Sequence, residues 1–162
     1  MALTVFDSTQ LNTVTSSKVT GTTTNDSAAA GLVGQYIESI ATDTVAVTST
    51  NYGDLTSISL TAGDWDVSAV VYWDNTGATW TIAQYGISTT AGNNGVGLSA
   101  GENFISNTWA SSATTPTILT GSIAPYRMSL ASTTTVYLKY RSTYSAGGPP
   151  HSQGRLSARR VR

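Results

Sequence analysis

The stretch "WDVSAVVYW", residues 65–73, constrains the fold more than any other part of the chain. Trp65, Val67, Ala69, Val71 and Trp73 alternate with Asp66, Ser68, Val70 and Tyr72. A period of two lines the first set along one face of a strand, whereas a helix would scatter it around its circumference. The same habit recurs in "VGQYIESI", "TVAVTS", "LTSISLT", "TWTIAQYGIST", "TPTILTGSIA", "YRMSLA" and "TVYLKYRSTYS", with Gly, Asn, Asp or Pro between the runs. Strand-length segments bounded by turn residues at hairpin spacing predict an all-β domain.

Composition agrees. Thr, Ser, Val, Ala and Gly dominate, with eight Tyr and four Trp, while the residues that usually coat helices are scarce. A chain of 162 residues is most naturally one domain with a real core. We expect about eight to ten strands in a β-sandwich of jelly-roll type over residues 32–162, with no helix of note. Residues 1–31 read differently. "STQLNTVTSSKVTGTTTNDSAAAG" is polar and has little to bury, so it predicts an extended arm that orders only against a neighbour. Leu3, Val5 and Phe6 form its one apolar cluster and are the candidate anchor.

Charge is sparse and lopsided. All nine acids lie at or before Glu102, while Arg127, Lys139, Arg141, Arg155, Arg159, Arg160 and Arg162 follow it. With a formal net charge of −1, no polyanion partner is implied, and pairing between distant strands accounts for the asymmetry. The closing "RLSARRVR" raises the question of a nucleic-acid tail. As a strand it splits its arginines: Arg155, Ser157, Arg159 and Val161 on one face, Leu156, Ala158, Arg160 and Arg162 on the other. A solvated basic arm has no use for that apolar alternation, so a strand is expected, its arginines paired with carboxylates inside the sandwich or across a subunit boundary.

The absence of cysteine excludes a disulfide framework, and "MALTVFDSTQ" lacks the basic start of a secretory leader. No apolar run is long enough for a membrane span. We therefore expect folding in a reducing cytoplasm, with no membrane insertion. Chemistry is hard to find. His151 is the lone histidine, no elbow motif surrounds a serine, and no glycine-rich turn leads into a helix. Asp64 and Asp66 share a strand face and are the one pair suited to a hard cation, but a turn at Asp64 and an outward position for Asp66 are the stronger explanation. No enzyme activity, cofactor or metal is expected. Among the aromatics, Trp80, Trp109, Tyr85 and Tyr126 are candidates for stacking on a ligand, with Trp80 and Trp109 the foremost; Trp65 and Trp73 belong to packing.

"SLTAGDWDVSAVVYW" (residues 59–73) resembles the strand-turn-strand of small jelly rolls in bacteriophage head-fibre and tail-fibre proteins. "TVYLKYRSTYSAGGPPHSQGRLSARRVR" (residues 135–162) is similar to their C-terminal hairpin with its arginine-rich last strand. The architecture is also similar to the trimeric tumour-necrosis-factor and complement globular-head jelly roll. The resemblance spans roughly residues 33–162. It implies a homotrimer, with Tyr137, Tyr140, Tyr144, Arg155, Arg159, Arg160 and Arg162 as subunit-contact candidates. It further implies a structural virion protein, assembled in the host cytoplasm and attached through the arm to a capsid or tail protein. The alternative is a binding module whose loops around 74–80, 91–113 and 145–153 recognise a host-surface glycan or receptor. Head and tail locations remain equally open on these residues.

Overall fold

The computed structural model describes residues 27–45, 49–74, 79–108, 118–145 and 149–162. These form eight strands: β1 (Tyr36–Val45), β2 (Tyr52–Leu60), β3 (Gly63–Asp74), β4 (Thr79–Ser88), β5 (Phe104–Thr108), β6 (Ile118–Leu130), β7 (Thr134–Ser145) and β8 (His151–Arg160). They build two four-stranded antiparallel sheets, ordered β1-β8-β3-β6 (sheet A) and β2-β7-β4-β5 (sheet B). Four pairs are nested: β1 with β8, β2 with β7, β3 with β6 and β4 with β5.

The alternation read from residues 65–73 holds in space. Trp65, Val67, Ala69, Val71 and Trp73 are at most 2% exposed, whereas Val70 on the other face is 45% exposed. Leu156, Ala158 and Ile123 join them from sheet A. Sheet B contributes Leu55, Ile58, Leu60, Trp80, Ala83, Tyr85, Ile87, Val136, Leu138 and Tyr140. Trp73 meets Trp80 edge-on, with ring centroids 5.9 Å apart, and packs against Tyr140 at 5.6 Å. Such aromatic pairs add roughly 0.5–1.5 kcal/mol each beyond the area they bury. The layers press closely enough to demand glycine at Gly121, where a Cβ would lie 1.7 Å from the Tyr85 hydroxyl.

Some elements differ from the sequence expectation, each for a physical reason. The separate strands expected in "VGQYIESI" and "TVAVTS" are, as far as described, one strand, β1, with a register irregularity between Ala41 and Thr44. "TPTILTGSIA" and "YRMSLA" likewise merge into β6 across Pro125. Proline is tolerated there because β6 is an edge strand whose register shifts opposite Val67 and Ala69. "HSQG" was expected in a loop, but it opens β8, held on both sides by β1 and β3. β5 was not anticipated, since "FISNT" is short and pairs only with β4.

The nested pairing gives the sandwich two distinct ends. At one end lie residues 27–35, the turns at 61–62 and 131–133, the loop 89–103 and residues 161–162. At the other end lie the strand ends Val45, Tyr52, Asp74, Thr79, Thr108, Ile118, Ser145 and His151. Residues 27–35 are fastened to sheet A: Ser27 Oγ accepts the Tyr36 N–H at 2.8 Å, and the Gly34 N–H donates to Arg160 O at 2.9 Å.

Candidate functional site

β8 lies in the middle of sheet A, so its arginines are divided between a core-facing row and an outer row. Arg155 and Arg159 are exposed on the outer face, while Leu156, Ala158 and Arg160 are buried. Arg160 is 6% exposed and spends its guanidinium within its own chain. Its guanidinium lies 4.4 Å from the Trp65 ring centroid, donates from Nη1 to Ala62 O at 2.9 Å, and bonds the Thr61 hydroxyl through Nη2. Gly63 is required beneath it: with φ at +134°, it leaves room where a Cβ would fall 2.1 Å from Nη1. Arg160 therefore ties the β2–β3 turn to β8, satisfying one backbone carbonyl and one hydroxyl rather than a carboxylate.

Arg162 does find a carboxylate within the sandwich. Its Nε bonds Asp64 Oδ2, and Arg127 Nη2 reaches the same oxygen at 3.1 Å. The Asp64 pKa falls from 3.8 to about 2, chiefly through the Arg162 hydrogen bond, then through Ser129 and Arg127, against a burial that acts the other way. The carboxylate offered by sequence as half of a cation pair is thus held by two guanidinium groups. Among the described residues, no cluster of three or more His, Cys, Asp or Glu has the arrangement of a metal site.

The rest of the outer face of sheet A is built in rows across β1, β8 and β3. Tyr36, Arg159 and Asp66 form one, with Arg159 5.6 Å from the Tyr36 ring centroid. Glu38, Ser157 and Ser68 form the next, where Ser68 and Ser157 share a 3.1 Å hydrogen bond. Ile40, Arg155 and Val70 form the third. There Ile40 is 61% exposed, and Tyr72 and Gln153 extend a shallow groove beside them. Arg155 makes no ion pair among the described residues. The centre of this face is thus apolar, with one cation that no described carboxylate pairs.

The remaining candidates do not join that surface. Tyr137 projects from the outer face of sheet B, Tyr140 is 2% exposed in the core, and Tyr144 packs half-buried against it. Tyr137 and the exposed arginines therefore lie on opposite faces of one chain, and Tyr140 is buried in the core. Trp80 is fully buried, so it offers no ligand platform. A register irregularity between Trp80 and Ile82 turns Trp80, Ala83, Tyr85 and Ile87 inward together. Tyr85 is buried as well, and burial raises its phenol pKa. Tyr126 stays half-exposed on β6. Leu3, Val5, Phe6 and Trp109 lie outside the described residues.

Sequence reasoning missed one polar assembly, on the outer face of sheet B. Lys139 occupies an outward position of β7, yet its side chain has no exposure. Its ammonium pairs with Asp54 of β2 and donates to Gly92 O at 2.6 Å. Asp54 Oδ2 in turn accepts the Gly92 N–H at 2.9 Å. The loop 89–103 folds back over the sheet to close this site. It is pinned by Ser88 Oγ donating to Val96 O at 2.6 Å and by Asn103 Nδ2 donating to Ile87 O and Gly97 O. Beside it Tyr52 and Arg141 share the Gln84 side-chain oxygen. The only sequence signal was the pairing of a Gly- and Asn-rich loop with a lysine inside an alternating strand. Comparison of this chain with protein-family models, with curated proteins and with solved structures finds no match.

Proposed function

We propose that the chain is a structural protein of a bacteriophage particle. In this reading it is a homotrimer on the capsid surface or a tail fibre, attached through residues 1–31 and displaying its sandwich outward. The sandwich is read as a jelly roll. Support comes from the nested pairs, which describe one long hairpin of eight strands rolled into two layers, and from the resulting orders β1-β8-β3-β6 and β2-β7-β4-β5.

The observation that carries the functional reading is the outer face of sheet A. Exposed Ile40 and Val70, half-buried Tyr72 and Arg155, which makes no ion pair among the described residues, sit together on one sheet face. A second copy would cover the apolar centre and supply a carboxylate to Arg155. The polarity of the sandwich fits a displayed domain: residues 27–35 enter at one end, and four connections leave from the other. The reading assigns no catalytic step. Localisation is the virion, with assembly in the host cytoplasm.

Light scattering after size exclusion tests this directly. The full chain is expected at three times 16.9 kDa, with Ile40→Asp shifting the mass to that of one chain. A monomeric wild type overturns the trimer. The second reading, recognition of a host glycan or receptor, draws on the strand ends at Asp74, Thr79, Thr108, Ile118, Ser145 and His151, which share the end of the sandwich away from residue 27. Retained cell binding by a chain lacking residues 1–26, with lost particle incorporation, would separate the two roles.

A further inference from the structure

The loop that seals Lys139 contains the one Asn–Gly pair of the sequence, Asn94–Gly95. We infer that Asn94 is a site of spontaneous succinimide formation, and that its conversion loosens the loop over Lys139. This inference is independent of the proposed particle role.

Three features of the loop favour the reaction. Asn94 Oδ1 accepts the Val96 N–H at 3.2 Å, an Asx turn that folds the side-chain amide over the Gly95 peptide. The same hydrogen bond polarises the amide carbonyl and stabilises charge developing on Oδ1. Gly95 has no side chain to shield its nitrogen from Asn94 Cγ, and Asn94 itself is exposed to water.

The step balances without any agent but water. The Gly95 backbone nitrogen gives up its proton to solvent base and attacks Asn94 Cγ, forming a C–N bond. Nδ2 then takes a proton from solvent, and the tetrahedral centre collapses, breaking the bond from Cγ to Nδ2 and releasing ammonia. Water opens the five-membered succinimide at either carbonyl, giving aspartate or isoaspartate at position 94.

The structure also gives each residue of this labile pair a role. A Cβ on residue 95 would lie 2.8 Å from the Tyr52 ring, so glycine is needed for packing. The Asn94 side chain is needed for the turn, because Nδ2 also donates to Ala91 O at 3.3 Å. Conversion removes that donor and sets a carboxylate facing the Ala91 carbonyl. The isoaspartyl product further lengthens the backbone by one methylene. The effect reaches Lys139 through one atom: Gly92 O accepts both the Asn94 N–H, at 2.9 Å, and the Lys139 ammonium.

The test is incubation of the full chain in mildly alkaline buffer, with peptide mass mapping over time and acetylation of lysines by a soluble anhydride. Asn94 should convert at least about tenfold faster than buried Asn103, a barrier difference of about 1.4 kcal/mol. Acetylation at Lys139 should rise in step, and Asn94→Gln, which cannot close the five-membered ring, should hold Lys139 at its initial protection. Equal rates at Asn94 and Asn103 overturn the inference. So does complete conversion that leaves Lys139 as protected as before.

Discussion

Removing either partner of the Asp54–Lys139 pair should have unequal consequences, because the two groups differ in access to water. The Lys139 side chain has no exposure, whereas Asp54 keeps 27% of its side-chain surface. Asp54→Ala strands an ammonium under the loop with, among the described residues, Gly92 O and the nearby Tyr137 ring. Leaving a buried charge unpaired costs about 3–5 kcal/mol. Lys139→Met has the opposite geometry. The carboxylate left behind is partly hydrated and still accepts the Gly92 N–H, while methionine refills much of the space of the lysine stem. A lost charged hydrogen bond of about 1.5–3 kcal/mol, offset by that packing, leaves a net cost of about 1–2 kcal/mol. Urea unfolding followed by tryptophan fluorescence should therefore rank Asp54→Ala below Lys139→Met by about 2 kcal/mol at constant m. That gap is worth roughly 4–8 °C in melting temperature. Equal destabilisation, or the reverse order, would mean that water reaches Lys139 and that the loop is not a seal.

Gly121→Ala should destabilise by about 1–3 kcal/mol in a thermal melt, because its Cβ would displace the Tyr85 ring from the core. Tyr85→Phe in that background should recover only part of the loss, since the ring carbon also lies too close. Asp64 has a folded pKa below its ordinary value, so its contribution is in full force above pH 3.8 and is lost as the pH falls through about 2. Asp64→Asn should flatten the acid limb of the stability curve there. A carboxyl NMR titration should find the Asp64 pKa raised more by Arg162→Gln than by Arg127→Gln. Arg160→Lys should cost about 2 kcal/mol and alter Trp65 fluorescence, because an ammonium cannot lie flat on the indole while reaching both Ala62 O and Thr61.

What the sequence makes legible follows from regularity. The faces of β3 and β8 are readable because both strands keep strict parity over residues that strongly prefer one side, down to the split between Arg159 and Arg160. The same parity in β7 groups Tyr140 with Val136 and Leu138, so its burial was already signalled. Trp80 is different: the register irregularity after it changes which residues face inward, and no residue type in "TWTIAQ" marks that bulge. Lys139 sits at an outward position by parity, yet a loop distant in sequence covers it. Only a tertiary contact decides that. Tyr137 and the exposed arginines of β8 look like one cluster in the chain but occupy different sheets, because β7 and β8 belong to opposite layers.

The nesting of the strands also sets the order in which the protein can be made. Tyr36 finds its partner at Arg159, and β3 is flanked on one side by β8, so sheet A stays split until residues 151–160 have been synthesised. At ~5–20 residues per second, β1 waits roughly 6–25 s for the strand that pairs with it. Until then β3 has only β6, and β1 has no hydrogen-bonded neighbour in the sheet. Closing so remote a pair makes folding slow and leaves apolar strands open to wrong partners in the interval. A chain interrupted before residue 151 loses the strand that unites sheet A, along with the Arg160 clamp on the β2–β3 turn. Truncated chains are thereby barred from presenting a finished outer face of sheet A.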